Sequence, residues 1–158
     1  MAEPLEFTVG KLLERRAWHL AVAESCTGGL IAHTLTNVSG SSNYFLGGVT
    51  AYANEAKQRL LGVRRETIEQ HGAVSQETVF EMAQGVRHAL GAEVGLSVSG
   101  IAGPSGGTPD KPIGTVWIGL SAEDTMRAWC FHFHGDRLQV KQGAAQKALR
   151  LLVEYLSD

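Results

Sequence analysis

Length, composition and charge exclude several classes of protein at the outset. The chain has 158 residues, of which 44% are hydrophobic and 19% charged, as is typical of one globular domain and not of a disordered segment or a coiled coil. A formal net charge of −2 gives no indication of nucleic-acid binding, and no stretch approaches the roughly 18 apolar residues of a membrane helix. We therefore expect a single domain, residues 1–158, that binds neither nucleic acid nor membrane.

The first half of the chain alternates helical and strand patterns. Apolar residues recur with a period near 3.6 in helices and of two in strands. In chain order the patterns predict a helix over 5–16, a strand over 17–24, a small-residue turn at 25–29, a helix from 30, a strand over 47–52 and short helices over 55–61 and 65–70. Asn54 is the predicted N-cap of the helix over 55–61, and Gly62 its predicted end.

The second half adds a longer helix, three strands and a final helix. In chain order these are a helix over 76–90 capped by Ser75, a strand over 94–98, a glycine-rich loop over 99–112, strands over 113–120 and 126–133 that form a hairpin, and a helix over 137–156 capped by Asp136. The helix over 76–90 is expected to bury Val79, Met82, Ala83, Val86 and Leu90. The last helix is expected to bury Leu138, Ala145, Leu149, Leu152 and Val153.

This order of elements predicts an α/β fold. Helices alternate with strands early in the chain, which favours parallel pairing, and a hairpin follows late. We therefore expect a three-layer α/β/α architecture with a mixed, mostly parallel sheet. The glycine-rich loop lies between predicted strands, and a long loop in a compact domain is usually functional.

The first candidate for chemistry is Ser25, at the predicted junction between a strand and a helix. A serine there is most often only a cap, but as a nucleophile it would lie beside free N–H groups that favour a developing oxyanion. Gly28 and Gly29 follow and would let a substrate approach the backbone closely. The adjacent Cys26 is an alternative nucleophile, or simply a small buried residue.

A serine nucleophile needs a base, and the candidate is a lysine. No GxSxG elbow or Ser-His-Asp set is apparent. Lys57 begins a predicted helix after a strand; it is either a solvated side chain or, if burial lowers its pKa, an acceptor for the Ser25 proton. Tyr52, at the strand end, is either a half-buried strand aromatic or a group that orients or relays that proton.

Two further features have weaker functional interpretations. The glycine-rich loop lacks the spacing of a P-loop, and it is either a structural turn or a nest of N–H groups for an anion. His132 and His134 lie on one face of a predicted strand, but two histidines without a third ligand are a poor metal site. We therefore expect no metal and no cofactor. With only two cysteines and an acidic N-terminus, a cytoplasmic location is expected.

Six sequence blocks, taken together and in order, resemble the CinA C-terminal domain family, whose enzymatic members are nicotinamide-nucleotide amidohydrolases. The resemblance covers about residues 5–155, and no single block would establish it. The blocks are AESCTGG (23–29), GGVTAYANEAKQRLLGV (47–63), GAVS (72–75), SGIAGPSGG (99–107), KPIGTV (111–116) and GDR (135–137). Family members occur alone or fused to a second domain, and from its length we expect this chain to be of the stand-alone form.

The resemblance implies a Ser/Lys amidohydrolase that converts nicotinamide mononucleotide to nicotinate mononucleotide. It implies Ser25 as nucleophile, Lys57 as general base and Tyr52 as an assisting group. The residues that it implies for substrate binding are Thr27, Gly28, Gly29, Ser99, Gly100, Gly103 and Arg137. One departure is Lys141, where many members have an arginine, and a lysine would hold a phosphate less specifically.

Two other functions remain open from the sequence. One is a nucleotide-binding or accessory domain that has the fold without the activity; the intact Ser-Tyr-Lys set counts against it. The other is an amidase for a different small amide. For the partners of the protein we expect a small-molecule substrate and a homo-oligomer.

Overall fold

The computed structural model describes residues 1–158 and consists of one five-stranded sheet between two layers of helices. The elements are α1 (Leu5–Arg16), β1 (Leu20–Glu24), α2 (Leu30–Leu35), a 3₁₀ turn (Ser41–Asn43), β2 (Phe45–Thr50), α3 (Asn54–Leu61), α4 (Arg65–His71), α5 (Gln76–Leu90), β3 (Val94–Gly100), β4 (Thr115–Ala122), β5 (Thr125–His132) and α6 (Arg137–Ser157). None of the six α-helices combines the length and the apolar character needed to cross a membrane.

The sheet is mixed, as predicted, with the strand order β2-β1-β3-β4-β5. β1 pairs in parallel with both β2 and β3, whereas β4 is antiparallel to β3 and β5. Four strands therefore run in one direction and β4 alone runs against them. The register brings the ends of three strands together, because Glu24 pairs with Thr50 on one side and with Val98 on the other.

Each face of the sheet packs against its own helical layer, which confirms the three-layer architecture. α1, α2 and α6 cover one face and enclose the larger core, which contains 23 buried residues. α5 covers the other face, α3 and α4 pack against α5, and this smaller core contains eight buried residues. Gly85 lets α5 and α3 approach closely, because a Cβ there would lie 2.7 Å from the carbonyl carbon of Leu61.

Most predicted helix ends are confirmed. Gly62 ends α3 in a left-handed conformation, with φ of 70°, and the Ser75 hydroxyl accepts the amide hydrogen of Thr78 at the start of α5. Asp136 forms a reciprocal capping box with Gln139 at the start of α6. The cap predicted for α3 is wrong: Ala53 is the N-cap, and Asn54 is the first helical residue.

Two predicted core positions are wrong for a common reason. Leu138 is 64% exposed and Leu90 is 37% exposed, although the rest of each predicted apolar stripe is buried or half-buried. Leu138 belongs to the first turn of α6 and Leu90 is the last residue of α5. Periodicity identifies the face of a helix that is buried, but it does not show where the element beneath that face ends.

Candidate active site

A cleft lies at the carboxyl ends of β1, β2 and β3, where the three strands finish side by side. Ser25 follows β1 directly, Tyr52 lies two residues beyond β2, and Ser99 is near the end of β3. The cleft has a volume of about 350 Å³, near the lower end of the range of small-molecule sites. The residues of the predicted site that line it are Ser25, Tyr52, Lys57, Ser99, Gly100, Gly103 and Arg137.

Ser25 and Lys57, 32 positions apart in the sequence, meet inside this cleft. The Nζ of Lys57 donates to the Oγ of Ser25 at 2.9 Å and to the backbone oxygen of Tyr52 at 3.1 Å. Lys57 is only 1% exposed and has no carboxylate partner. Burial lowers the pKa of Lys57, an effect that the neighbouring Cys26 partly opposes. A buried, unpaired lysine next to a serine hydroxyl is suited to accept the hydroxyl proton.

The thiol of Cys26 is a poor alternative nucleophile. It is 5% exposed, and burial, reinforced by the charge of Glu24, raises its pKa to about 12. Since the thiolate is the nucleophilic form of cysteine, almost none of it is present near neutral pH. The geometry thus favours Ser25 over Cys26.

The backbone after Ser25 leaves three amides of the turn free. The N–H of Ser25 donates to the carbonyl of Val98, and that of Gly28 donates to the carbonyl of Ser25. The N–H groups of Cys26, Thr27 and Gly29 donate to no carbonyl or carboxylate of the chain. Only Cys26 of these three lines the cleft, so its amide is the candidate donor to an oxyanion formed at Ser25.

Arg137 and Tyr52 form one side of the cleft. The guanidinium of Arg137 donates to the carbonyl of Gly103 at 2.7 Å and to the phenolic oxygen of Tyr52 at 2.8 Å. Both acceptors are neutral, so the charge of Arg137 is not compensated by a carboxylate. The phenol of Tyr52 is directed to Arg137, and it is the backbone carbonyl of Tyr52 that contacts Lys57. This arrangement orients the lysine, whereas the structure shows no contact for a proton relay through the hydroxyl.

The predicted residues of β3 and of the glycine-rich loop shape the floor of the cleft. Ser99 is 1% exposed, and its hydroxyl donates to the carbonyl of Ala73, which also lines the cleft. Gly100 allows close strand packing, because a Cβ there would lie 2.6 Å from a methyl carbon of Val116. Gly103 has a φ of 83° and supplies the carbonyl that Arg137 binds.

Three predicted binding residues do not line the cleft. The hydroxyl of Thr27 donates to the carboxylate of Glu24, and Thr27 is buried. Gly28 and Gly29 have φ angles of 61° and 102°, which only glycine adopts easily, and they turn the chain from β1 into α2. Lys141 also lies outside the cleft, with its Nζ 3.6 Å from the position that a Cβ of Gly28 would occupy.

The sequence interpretation missed the buried acid that precedes the nucleophile. Glu24 is 2% exposed and accepts hydrogen bonds from Thr27, Ile31 and Ala32. The sequence does contain a signal for it, because Glu24 stands at the end of an otherwise apolar strand. An acid buried with such a strand is expected to have hydrogen-bond partners. The two exposed histidines, His132 and His134, gather no third ligand, and no group of three His, Cys, Asp or Glu residues suited to a metal occurs among residues 1–158.

Comparison with known sequences supports one family. The family model of the CinA C-terminal domain matches residues 2–156. A CinA-like protein of Thermotoga maritima is 49% identical over 156 residues, which are 98% of this chain and 38% of that protein. A CinA-like protein of Salinibacter ruber is 53% identical over 145 residues, which are 92% of this chain and 35% of that protein. The chain thus spans little more than a third of the length of these relatives.

Solved structures match along their whole length. A competence-damaged protein (CinA) superfamily protein from Klebsiella pneumoniae superposes with a TM-score of 0.93 at 37% identity, covering 97% of this chain and 96% of that one. A competence/damage inducible protein from Agrobacterium tumefaciens superposes with a TM-score of 0.91 at 32% identity, covering all of both chains. These matches extend over all three layers of the fold and over the cleft.

Proposed function

This chain belongs to the CinA C-terminal domain family, and on that premise we propose that it hydrolyses the carboxamide of nicotinamide mononucleotide, releasing nicotinate mononucleotide and ammonia. The observation that carries the proposal is the contact of 2.9 Å between Lys57 Nζ and Ser25 Oγ, with the lysine almost completely buried and without an acidic partner. Family membership alone supports only a CinA domain; the dyad is what supports an amidohydrolase.

In the proposed acylation step, neutral Lys57 accepts the hydroxyl proton of Ser25 while Oγ bonds to the carboxamide carbon. The resulting oxyanion is held by the free amide of Cys26, which lines the cleft. When the C–N bond breaks, Lys57 returns the proton to the departing nitrogen, and ammonia leaves an acyl-enzyme on Ser25. Water then adds to the acyl carbon, losing its proton to Lys57, and Ser25 recovers its proton as nicotinate mononucleotide leaves.

The charges of the cleft suit the proposed substrate. The pyridinium ring of nicotinamide mononucleotide makes the carboxamide carbon more electrophilic than in nicotinamide. The phosphate at its other end needs a cation, and Arg137 presents a guanidinium that is bonded only to neutral acceptors. Because Arg137 and Ser25 line the same cleft, one ligand can contact both.

The experiment is incubation of the purified chain with nicotinamide mononucleotide and detection of nicotinate mononucleotide and ammonia. Nicotinamide and glutamine are tested in parallel, since each offers a carboxamide without the nucleotide. We expect turnover of the mononucleotide alone and none by Ser25→Ala. Equal turnover of all three amides would indicate a less selective amidase, and no release of ammonia would indicate a domain that binds without catalysis.

A further inference from the structure

Glu24 is a buried acid directly before the nucleophile, and the proposed mechanism does not use it. It is the last residue of β1 and is 2% exposed. One carboxylate oxygen accepts from the Thr27 hydroxyl at 2.6 Å and from the amide of Ile31 at 2.9 Å. The other accepts from the amide of Ala32 at 3.0 Å. Each of these three donors lies within the segment that follows Ser25.

These bonds replace the missing cap of α2. The N-cap of this helix is Gly29, which has no side chain to accept the free amide hydrogens of the first turn. Glu24 reaches across the turn and accepts two of them, so that its negative charge lies at the positive end of the helix. The third bond, from Thr27, ties the middle of the turn to the same carboxylate. Three hydrogen bonds to one carboxylate thereby fix the chain between β1 and the first turn of α2.

From this geometry we propose that Glu24 is a positioning residue that fixes the Ser25–Gly29 turn, holding the Ser25 hydroxyl on Lys57 and leaving the Cys26 amide unpaired for the oxyanion. This inference rests on the proposed function, although one of its tests does not need the substrate. Glu24 does not line the cleft, so it acts through the turn and not on the reacting atoms.

A carboxylate is needed at this position because all three partners are donors. Glutamine has the same shape, but in either orientation its NH₂ group would face a backbone N–H, that of Ile31 or that of Ala32, and two donors cannot bond to each other. The turn must then shift or leave a buried donor unpaired. Because the effect is on geometry in the transition state, Glu24→Gln is expected to lower kcat and to leave substrate binding nearly unchanged.

The experiment compares Glu24→Gln with Glu93→Gln at two readouts. Glu93 is a matched control, because its carboxylate also accepts a backbone amide hydrogen, that of His19, but it lies directly before β3, at the opposite end of the sheet. The first readout is steady-state turnover of nicotinamide mononucleotide. The second is sulfonylation of Ser25 by phenylmethylsulfonyl fluoride, followed by intact mass: the Oγ–S bond forms, the S–F bond breaks, fluoride leaves, and the hydroxyl proton passes to Lys57.

For Glu24→Gln we expect kcat and the sulfonylation rate to fall roughly 10- to 100-fold, with KM within about threefold of that of the wild type. Glu93→Gln should retain both rates. Thr27→Val offers a milder change in case Glu24→Gln does not fold, because it removes only one of the three hydrogen bonds. We expect it to lower both rates several-fold. Thr27→Ser keeps a hydroxyl at this position and should retain most of both rates. All rates are measured well below each variant's unfolding temperature.

The outcomes separate this inference from the proposed function. The positioning role is overturned if Glu24→Gln reacts as fast as Glu93→Gln, or if its KM rises while its kcat stays unchanged. A wild type that is sulfonylated at Ser25 but does not hydrolyse the mononucleotide refutes the proposed substrate alone, and the sulfonylation rates of the variants still decide the role of Glu24. A wild type that is neither labelled nor active overturns both.

Discussion

Replacing Lys57 by arginine tests whether this position supplies a base or only a positive charge. Arginine retains the charge, and its guanidinium can still donate to Ser25 Oγ and to the Tyr52 carbonyl, the two acceptors that Lys57 binds at 2.9 and 3.1 Å. It cannot lose its proton in the physiological range. We therefore expect Lys57→Arg to be as inactive as Lys57→Ala.

The size of the loss follows from the two pKa values. An unshifted lysine, with a pKa of about 10.4, is neutral in roughly one molecule in a thousand at pH 7.4, whereas the pKa of an arginine lies so much higher that its guanidinium stays protonated throughout the physiological range. The arginine variant therefore has at least about a hundredfold less neutral base than the wild type. Burial lowers the pKa of Lys57, and each unit of lowering increases this ratio about tenfold until the lysine is mostly neutral.

The assay is the pH dependence of kcat/KM for the wild type, together with turnover by the two variants. As pH rises, kcat/KM should rise through the pKa of Lys57, at a pH below the ordinary lysine value, because only the neutral amine accepts a proton. Small primary amines added to Lys57→Ala should restore some activity in proportion to their free-base concentration. Turnover by Lys57→Arg above about a tenth of the wild-type value would refute the argument and place the base elsewhere.

Three further predictions test other features of the structure. Cys26→Ala should retain most of the activity, since a thiol with a pKa of about 12 is not the nucleophile. If Cys26→Ala were inactive and Ser25→Ala active, the nucleophile would be Cys26. Arg137→Lys should raise KM roughly tenfold with little change in kcat, because a compact ammonium lacks the planar fork with which a guanidinium binds two acceptors and still reaches a phosphate. An unchanged KM would remove Arg137 from the binding site. In thermal unfolding, Leu149→Ala should cost about 2–5 kcal/mol and Leu138→Ala under about 0.5 kcal/mol, because the first is fully buried and the second is mostly exposed.

The helices and strands of this fold follow closely from local patterns in the sequence. α1 and α5 have the bounds predicted for them, and the caps Ser75 and Asp136 lie where they were expected. The first strand is shorter than predicted, because Ala17 ends α1 in a left-handed conformation and the strand begins only at Leu20. The strand order depends on long-range pairing, which no local pattern contains.

The candidate site is predictable in its members but not in its contacts. The sequence blocks single out Ser25, Lys57 and Arg137, and all three line one cleft. They do not indicate that the phenol of Tyr52 binds the guanidinium of Arg137, or that Thr27 binds an acid and not a ligand. Such contacts depend on which residues the register of the sheet brings together, and a sequence pattern of residue types leaves that register open.

The position of Glu24 also bears on the proposed role of Lys57 as the base. A carboxylate about 4 Å from Lys57 would attract the ammonium by about 4 kcal/mol at an effective dielectric constant of about 20. Such an attraction corresponds to about three pKa units in favour of the charged form, and it would offset the effect of burial. Glu24 lies one residue from Ser25, yet its carboxylate is committed to Thr27 and the first turn of α2, and Lys57 has no acidic partner. The hydrogen bonds that fix the turn thus engage the carboxylate of Glu24, and burial lowers the pKa of Lys57 with no acidic partner to oppose it, as the proposed mechanism requires.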